Sequence, residues 1–146
     1  MEAFEEIIGY EDVKHELRRI ADALNRSEAY RALGAKAPSG LLLHGSPGVG
    51  KTLMANCLIK ASGRKAFVCR KTKPSEEFIG IIKETFDAAI ENAPSIVYLD
   101  DMDKFANDDE WHRNSEEFVT VQSCIDEVRD KEVFVLATAN ETHCLP

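Results

Sequence analysis

Apolar and polar positions follow two spacings along the chain, and each spacing indicates a type of element. From Glu11 to Arg31 the apolar residues recur at helical intervals, whereas Leu41 to His44 is a short apolar run typical of a buried strand. Helical patterns cover Lys51 to Ser62, Ser75 to Asn92 and Ser115 to Arg129. Further strands are predicted over Ala66 to Cys69, Ser95 to Asp100 and Glu132 to Thr138.

These strands are apolar along most of their length and are separated by helices. Such strands indicate a parallel sheet that is covered by helices on both faces. The sequence therefore predicts an α/β fold of one domain, and the ligands of such sheets bind at the carboxyl ends of the strands. Conspicuous polar residues follow several of the predicted strands here.

A glycine-rich segment follows the first strand and precedes a helix, with the spacing GxxxxGK[ST]: Gly45-Ser46-Pro47-Gly48-Val49-Gly50-Lys51-Thr52. Glycines let backbone N–H groups turn towards an anion, and the helix N-terminus adds partial positive charge. We predict that this loop binds the phosphates of ATP or ADP through Ser46, Pro47, Gly48, Val49, Gly50, Lys51, Thr52 and Leu53. Lys51 would reach the β- and γ-phosphates, and the Thr52 hydroxyl would bind Mg²⁺. A glycine-rich turn without a ligand is the less favoured alternative.

Two acids lie at the end of the third strand. Asp100 is predicted to hold Mg²⁺, and Asp101 is predicted to polarise the attacking water. Apolar strands often end in acids at a turn, so this pattern alone favours a structural interpretation, but the phosphate loop upstream reverses that preference. Asn140, after the fourth strand, could hold the water or contact the γ-phosphate, or could simply occupy a turn.

Composition narrows the class of protein. The net charge of −8 argues against a general affinity for nucleic acid. No stretch reaches the ~20 apolar residues of a membrane span, and the acidic N-terminus lacks the basic start of a signal peptide. The four cysteines lack the spacing of a zinc or redox motif, so we expect them to be reduced and mostly packed in a cytoplasmic protein.

With these motifs in place, the chain resembles the AAA ATPases from Phe4 to Asn140, especially AAA proteases and unfoldases of the valosin-containing-protein type. The resemblance implies a three-layer αβα P-loop core with a parallel sheet of about five strands. Residues 1–146 would form the large subdomain, without the helical lid. The segment from Phe4 resembles the one that contacts adenine through its backbone, which implies Ile7, Ile8 and Gly9 as nucleotide contacts.

Three departures from the family pattern affect the expected activity. The catalytic acid is usually glutamate, whereas the shorter Asp101 stands here, so slow hydrolysis is expected. Phe78-Ile79-Gly80 matches the triplet of a pore loop but lies about one helical turn too close to Phe86. Phe78 is therefore either a pore residue or, slightly favoured, a core residue. The arginine fingers and lid of the family lie beyond Pro146, which favours a fragment of a longer protein over a degenerate relative.

The resemblance implies ATP binding and Mg²⁺-dependent hydrolysis, with Lys51, Asp101 and Asn140 as catalytic residues. Hydrolysis would drive the remodelling or unfolding of a protein substrate by a homo-oligomeric ring, normally a hexamer in this family. A non-catalytic nucleotide-binding switch is the alternative. An ATPase acting on nucleic acid, such as a clamp-loader relative, is disfavoured by the acidic charge.

Overall fold

The computed structural model describes residues 4, 9–35, 38–45, 50–71, 75–102 and 116–140, and the side chains of all of these except 75, 76 and 116–118. Helices and strands alternate along the chain. The helices are α1 (Glu11–Asn25), α2 (Ser27–Ala32), α3 (Lys51–Ser62), α4 (Ser75–Glu91) and α5 (Glu116–Glu127). The strands are β1 (Gly40–His44), β2 (Lys65–Arg70), β3 (Ser95–Asp100) and β4 (Val133–Ala139).

The four strands agree with the sequence pattern in number, but the described residues form five helices where four were predicted, and one strand is longer than predicted. The helical pattern of residues 11–31 is divided between α1 and α2, because the backbone of Arg26 leaves the helical conformation at φ −117° and ψ 38°. β2 is longer than its apolar run and includes Arg70 at its carboxyl end. Arg70 consequently lies at the edge of the sheet where ligands of such folds bind.

The four strands form one parallel sheet in the order β1-β4-β3-β2. β3 and β4 are the central strands and are buried along their whole length. This sheet confirms the predicted α/β fold, with four strands among the described residues.

Helices cover both faces of the sheet and form two separate apolar clusters. Val97 and Leu99 of β3 pack on the side of α4 and α5. Ile96 and Tyr98 of the same strand pack on the side of α1 and α3. Because successive side chains of a strand point to opposite faces, Asp100 falls on the α3 face, two residues after Tyr98.

Phe78 lies inside α4 and is fully buried with Ile82 and Phe86, which share its face of the helix. The structure therefore places Phe78 in the core, the interpretation that its spacing slightly favoured. No helix among the described residues is both long enough and apolar enough to cross a membrane.

Candidate nucleotide site

The site begins where β1 leads into α3. The helix starts at Lys51, immediately after Gly50, whose backbone is left-handed at φ 84°. A side chain at that φ would be strained, so glycine is the residue that allows this entry into the helix. The first N–H groups of α3 lack partners within the helix and make its N-terminus attractive to an anion.

Lys51 brings a cation to the start of α3. Its side chain is buried, and Nζ donates a hydrogen bond of 2.9 Å to the carbonyl oxygen of Gly45. The ammonium group thus lies beside Gly45, the residue that follows β1. Thr52 and Leu53 follow in the first helical turn and are both exposed.

Several predicted contacts lie outside the described residues: Ile7, Ile8, Ser46, Pro47, Gly48 and Val49. Gly9 is described, and it is exposed with a left-handed backbone at φ 81° just before α1. The adenine and loop contacts that these residues were predicted to make stay predictions.

Asp100 is the centre of a hydrogen-bonded group at the end of β3. Only 8% of its surface is exposed. Its Oδ2 accepts a hydrogen bond of 2.6 Å from Nε of Arg70. Its Oδ1 accepts hydrogen bonds from the Tyr98 hydroxyl at 3.1 Å and from Oγ1 of Thr138 at 3.2 Å. Three strands, β2, β3 and β4, therefore each supply one donor to the same carboxylate.

These donors decide the charge of Asp100. Burial by itself raises the pKa of the carboxyl group, but hydrogen bonds from Arg70 and Tyr98 and the charge of Arg70 outweigh burial and hold the pKa below its usual range. Asp100 is accordingly ionised at neutral pH, which is the form that binds a cation.

The Tyr98 hydroxyl connects Asp100 to the phosphate-loop helix. Burial and the neighbouring Asp100 charge raise the pKa of Tyr98 to about 12, so the hydroxyl stays protonated. Hydrogen bonds with the hydroxyls of Thr138 and Thr52 lower that pKa in part. Tyr98 therefore lies between Thr52 and Asp100, the two residues that were predicted to hold Mg²⁺.

Asp101 follows β3 in a left-handed conformation, with φ 52°. This conformation costs a residue with a side chain about 1–2 kcal/mol, and aspartate tolerates it better than most residues. Its backbone N–H donates a hydrogen bond of 3.0 Å to Oγ1 of Thr138, which fixes the turn to β4. Asn140 is half-buried and follows β4, the strand next to β3, so both residues stand at the same edge of the sheet.

Sequence reasoning identified Asp100 but missed Arg70, Tyr98 and Thr138. The alternation of side chains along a strand could have identified Tyr98, because it precedes Asp100 by two residues and must lie on the same face of the sheet. The other two donors depend on neighbouring strands, and Arg70 is level with Asp100 in the β2–β3 register. That register could not be obtained from the apolar pattern.

The residues present fit ATP with Mg²⁺. A buried ionised carboxylate and nearby hydroxyl groups are the hard oxygen ligands that Mg²⁺ prefers. Within the described residues there is no cluster of three or more His, Cys, Asp or Glu side chains. Mg²⁺ is commonly held by one or two carboxylates together with substrate phosphates, so a single buried Asp beside a phosphate-binding helix suits it.

Comparison with known proteins agrees with this geometry. Residues 41–146 match the model of AAA, the ATPase family associated with various cellular activities. The chain is 39% identical over 104 residues to ATP-dependent zinc metalloprotease FtsH 2 of Symbiobacterium thermophilum, which covers 68% of this chain and 18% of the relative. It is 32% identical over 154 aligned positions to an ATP-dependent zinc metalloprotease FtsH of Leptotrichia buccalis, covering 97% of this chain and 20% of the relative. A chloroplastic FTSH of Medicago sativa is 38% identical over 104 residues, 68% of this chain and 15% of that protein.

The chain thus spans about a fifth or less of the length of these relatives. The family model itself covers nearly three quarters of the chain, including Lys51, Asp100 and Asn140. That match agrees with the predicted class of enzyme, an ATPase, and with the predicted cofactors, ATP or ADP with Mg²⁺. This chain belongs to the AAA ATPases, the ATPase family associated with various cellular activities.

Proposed function

We propose that the chain binds ATP with Mg²⁺ at the carboxyl ends of β1, β3 and β4 and hydrolyses the γ-phosphate. The observation that carries this proposal is that the buried Lys51, whose ammonium donates to Gly45 after β1, and the buried ionised Asp100 stand on the same face of the sheet. A cation for the phosphates and a carboxylate for the metal are the two charges that a P-loop ATPase needs.

Each residue has a defined task in this proposal. The N-terminus of α3 and Lys51 would bind the phosphates and neutralise negative charge as the terminal phosphoryl group leaves. Thr52 and Asp100 would hold Mg²⁺, which when bound neutralises charge on the phosphate oxygens. Asp101 would orient the water for in-line attack, and Asn140 would position that water or contact the γ-phosphate.

Asp101 is expected to make turnover slow. Its carboxylate is one methylene shorter than the glutamate usual in the family, and its backbone is constrained by the left-handed turn and the bond to Thr138. A displacement of about 1 Å can cost roughly a hundredfold in rate. The same observation supports the alternative function, a switch that binds nucleotide and responds to it without appreciable hydrolysis.

We propose further that residues 1–146 are the large subdomain of a longer ring-forming protein that remodels or unfolds a protein substrate in the cytoplasm. Homo-oligomeric assembly, as a hexamer, would supply the arginine fingers that act between subunits. The similar proteins named above are ATP-dependent proteases, which supports a polypeptide as substrate. Phe78 is a core residue and is not proposed as a substrate contact.

The first experiment measures binding of a fluorescent ATP analogue and release of phosphate, both with Mg²⁺. Lys51→Met keeps the aliphatic stem and removes the charge, and we expect it to weaken binding at least about 30-fold, or about 2 kcal/mol. Lys60→Met is the matched control because Lys60 is exposed in the last turn of the same helix. Equal binding by both variants would contradict the proposed phosphate site.

Asp101→Glu and Asp101→Asn then separate the two functions. If Asp101 is the catalytic acid, Asp101→Asn binds nucleotide but abolishes turnover, and Asp101→Glu raises turnover. If the wild type, Asp101→Glu and Asp101→Asn all bind nucleotide without hydrolysing it, even when assembled as oligomers, the nucleotide-binding switch is favoured. Turnover that survives Asp101→Asn would show that another group orients the water.

A further inference from the structure

Arg70 holds the carboxylate that the proposed function assigns to Mg²⁺. It ends β2 and lies level with Asp100, and its Nε is 2.6 Å from Oδ2. The Arg70 side chain is 55% exposed, whereas that of Asp100 is 10% exposed. The ion pair thus joins an exposed, hydrated partner to a buried one.

The two oxygens of Asp100 are used differently. Oδ1 accepts two hydrogen bonds, from Tyr98 and Thr138, and both donors belong to buried residues of the central strands. Oδ2 accepts the bond from Arg70. A carboxylate oxygen has about two lone-pair directions, so a metal ion or a metal-bound water that reaches Asp100 must approach Oδ2. Arg70 takes one of the two lone-pair directions of Oδ2, so a metal ion on this oxygen would lie directly beside the guanidinium.

Electrostatics make the two cations exclude each other. An arginine guanidinium keeps its positive charge at every ordinary pH, so Arg70 places a cation against Oδ2. A divalent ion beside that guanidinium would be repelled by it. β2 is the outermost strand of the sheet that the described residues form, and the exposed Arg70 side chain can turn into solvent with little loss of packing.

We propose that Arg70 competes with Mg²⁺ for Oδ2 of Asp100. The arginine ties the end of β2 to β3 in the metal-free chain and moves away when Mg²⁺ with nucleotide binds. Arg70 thereby lowers the apparent affinity of the site for Mg²⁺. The end of β2 is also expected to move when the metal site is filled. This inference rests on the proposed function, because it takes Asp100 as the residue that holds the metal.

The test titrates Mg²⁺ against binding of a fluorescent ATP analogue by the 146-residue chain, starting in EDTA. Arg70→Met removes the charge and keeps the aliphatic stem. We expect the Mg²⁺ midpoint to fall about fivefold, the size typical of one partly exposed ion pair. Lys65→Met is the matched control at the exposed start of the same strand and should leave the midpoint within about twofold. Asp100→Asn should raise it.

The outcomes separate the two claims. A midpoint that Arg70→Met leaves unchanged or raises, while Asp100→Asn raises it, overturns the inference alone, because Arg70 then does not compete with the metal. Wild-type binding that is absent or independent of Mg²⁺, or that Asp100→Asn does not alter, overturns the proposed metal site and the inference with it. An equal fall in Arg70→Met and Lys65→Met would reflect net charge and also overturn the inference.

Discussion

Tyr98→Phe removes one hydroxyl from the centre of the candidate site and leaves the ring in place. Tyr98 is 2% exposed, and its hydroxyl donates to a buried carboxylate at 3.1 Å. We expect the substitution to lower the free energy of unfolding, because Asp100 loses one of the donors that keep its charge acceptable in a buried position.

The structure sets the size of the effect. A hydrogen bond to a charged group contributes about 1.5–3 kcal/mol to stability. Asp100 keeps its bonds from Arg70 and Thr138, so the loss should fall towards the lower end, about 1.5–2 kcal/mol. With a urea dependence of about 2 kcal/mol/M, the midpoint should move down by about 0.7–1 M.

Tyr30→Phe is a matched control within the same chain. The Tyr30 hydroxyl also donates to an aspartate, Oδ2 of Asp22, at 3.0 Å, but this bond is exposed: Asp22 is exposed and Tyr30 is only half-buried. Chemistry and distance are therefore alike and only burial differs. Exposed polar contacts contribute little, so Tyr30→Phe should cost less than about 0.5 kcal/mol. Urea unfolding of both variants and the wild type, followed by circular dichroism, makes the comparison.

The pH dependence identifies the carboxylate as the partner. The folded pKa of Asp100 lies below its unfolded value, so its contribution is present above about pH 4 and is lost as pH falls through the folded pKa. Removing the Tyr98 donor raises the folded pKa of Asp100. The difference in free energy of unfolding between variant and wild type should therefore be largest at pH 7 and become smaller in acid. Equal small costs for the two tyrosines, or a cost that persists unchanged in acid, would refute this reasoning.

Three further predictions concern the stability and chemistry of the rest of the fold. Gly63→Ala should lower the free energy of unfolding by about 1 kcal/mol, because Gly63 ends α3 at φ 71°. Gly80→Ala should raise it by about 0.5–1 kcal/mol, because Gly80 is helical and open to solvent. Urea midpoints that move in the same direction in both variants would contradict this. Arg64→Met should lower the free energy of unfolding by about 2 kcal/mol, because the half-buried guanidinium donates to carbonyls of α1, β3 and the turn before β4. An unchanged urea midpoint would show that these bonds are dispensable. Burial raises the pKa of the Cys69 thiol to about 11, leaving about one thiolate in a thousand at pH 8. Iodoacetamide followed by mass spectrometry should therefore label Cys69 at least about fifty times more slowly in the native chain than in urea, and comparable rates would show that the core opens readily.

The sequence predicted most of the fold because its central strands are buried on both faces and its helices on one. Those conditions leave clear apolar runs and helical spacings, and the strands so predicted are present. The pattern did not show the break at Arg26, where charged residues continue on both sides, or the polar extension of β2 to Arg70. It also carried no information on strand order, and the order determines which side chains meet at the end of the sheet.

The candidate site shows the same limit in more detail. Asp100 could be predicted because it follows an apolar strand within a known spacing of a phosphate loop. Its partners could not, because Arg70 lies thirty residues earlier and Thr138 thirty-eight residues later. Only the parallel register of β2, β3 and β4 brings these residues together. Residues that act on a ligand are thus easier to predict from a motif than the residues that set their charge and position.

Under the proposed function, the three donors around Asp100 make metal binding and stability depend on the same atoms. Replacing Asp100 by asparagine keeps one carbonyl oxygen but places an amide N–H₂ donor near either the Arg70 guanidinium or the two hydroxyls, which already donate. Such a variant would therefore lose stability as well as metal affinity, and weakened nucleotide binding could not by itself be assigned to the metal. Arg70→Met avoids this ambiguity, because it removes an exposed donor and leaves the buried bonds from Tyr98 and Thr138 intact. A fall in the Mg²⁺ midpoint of that variant, beyond any fall in Lys65→Met, would accordingly report on the carboxylate oxygen that Arg70 contacts.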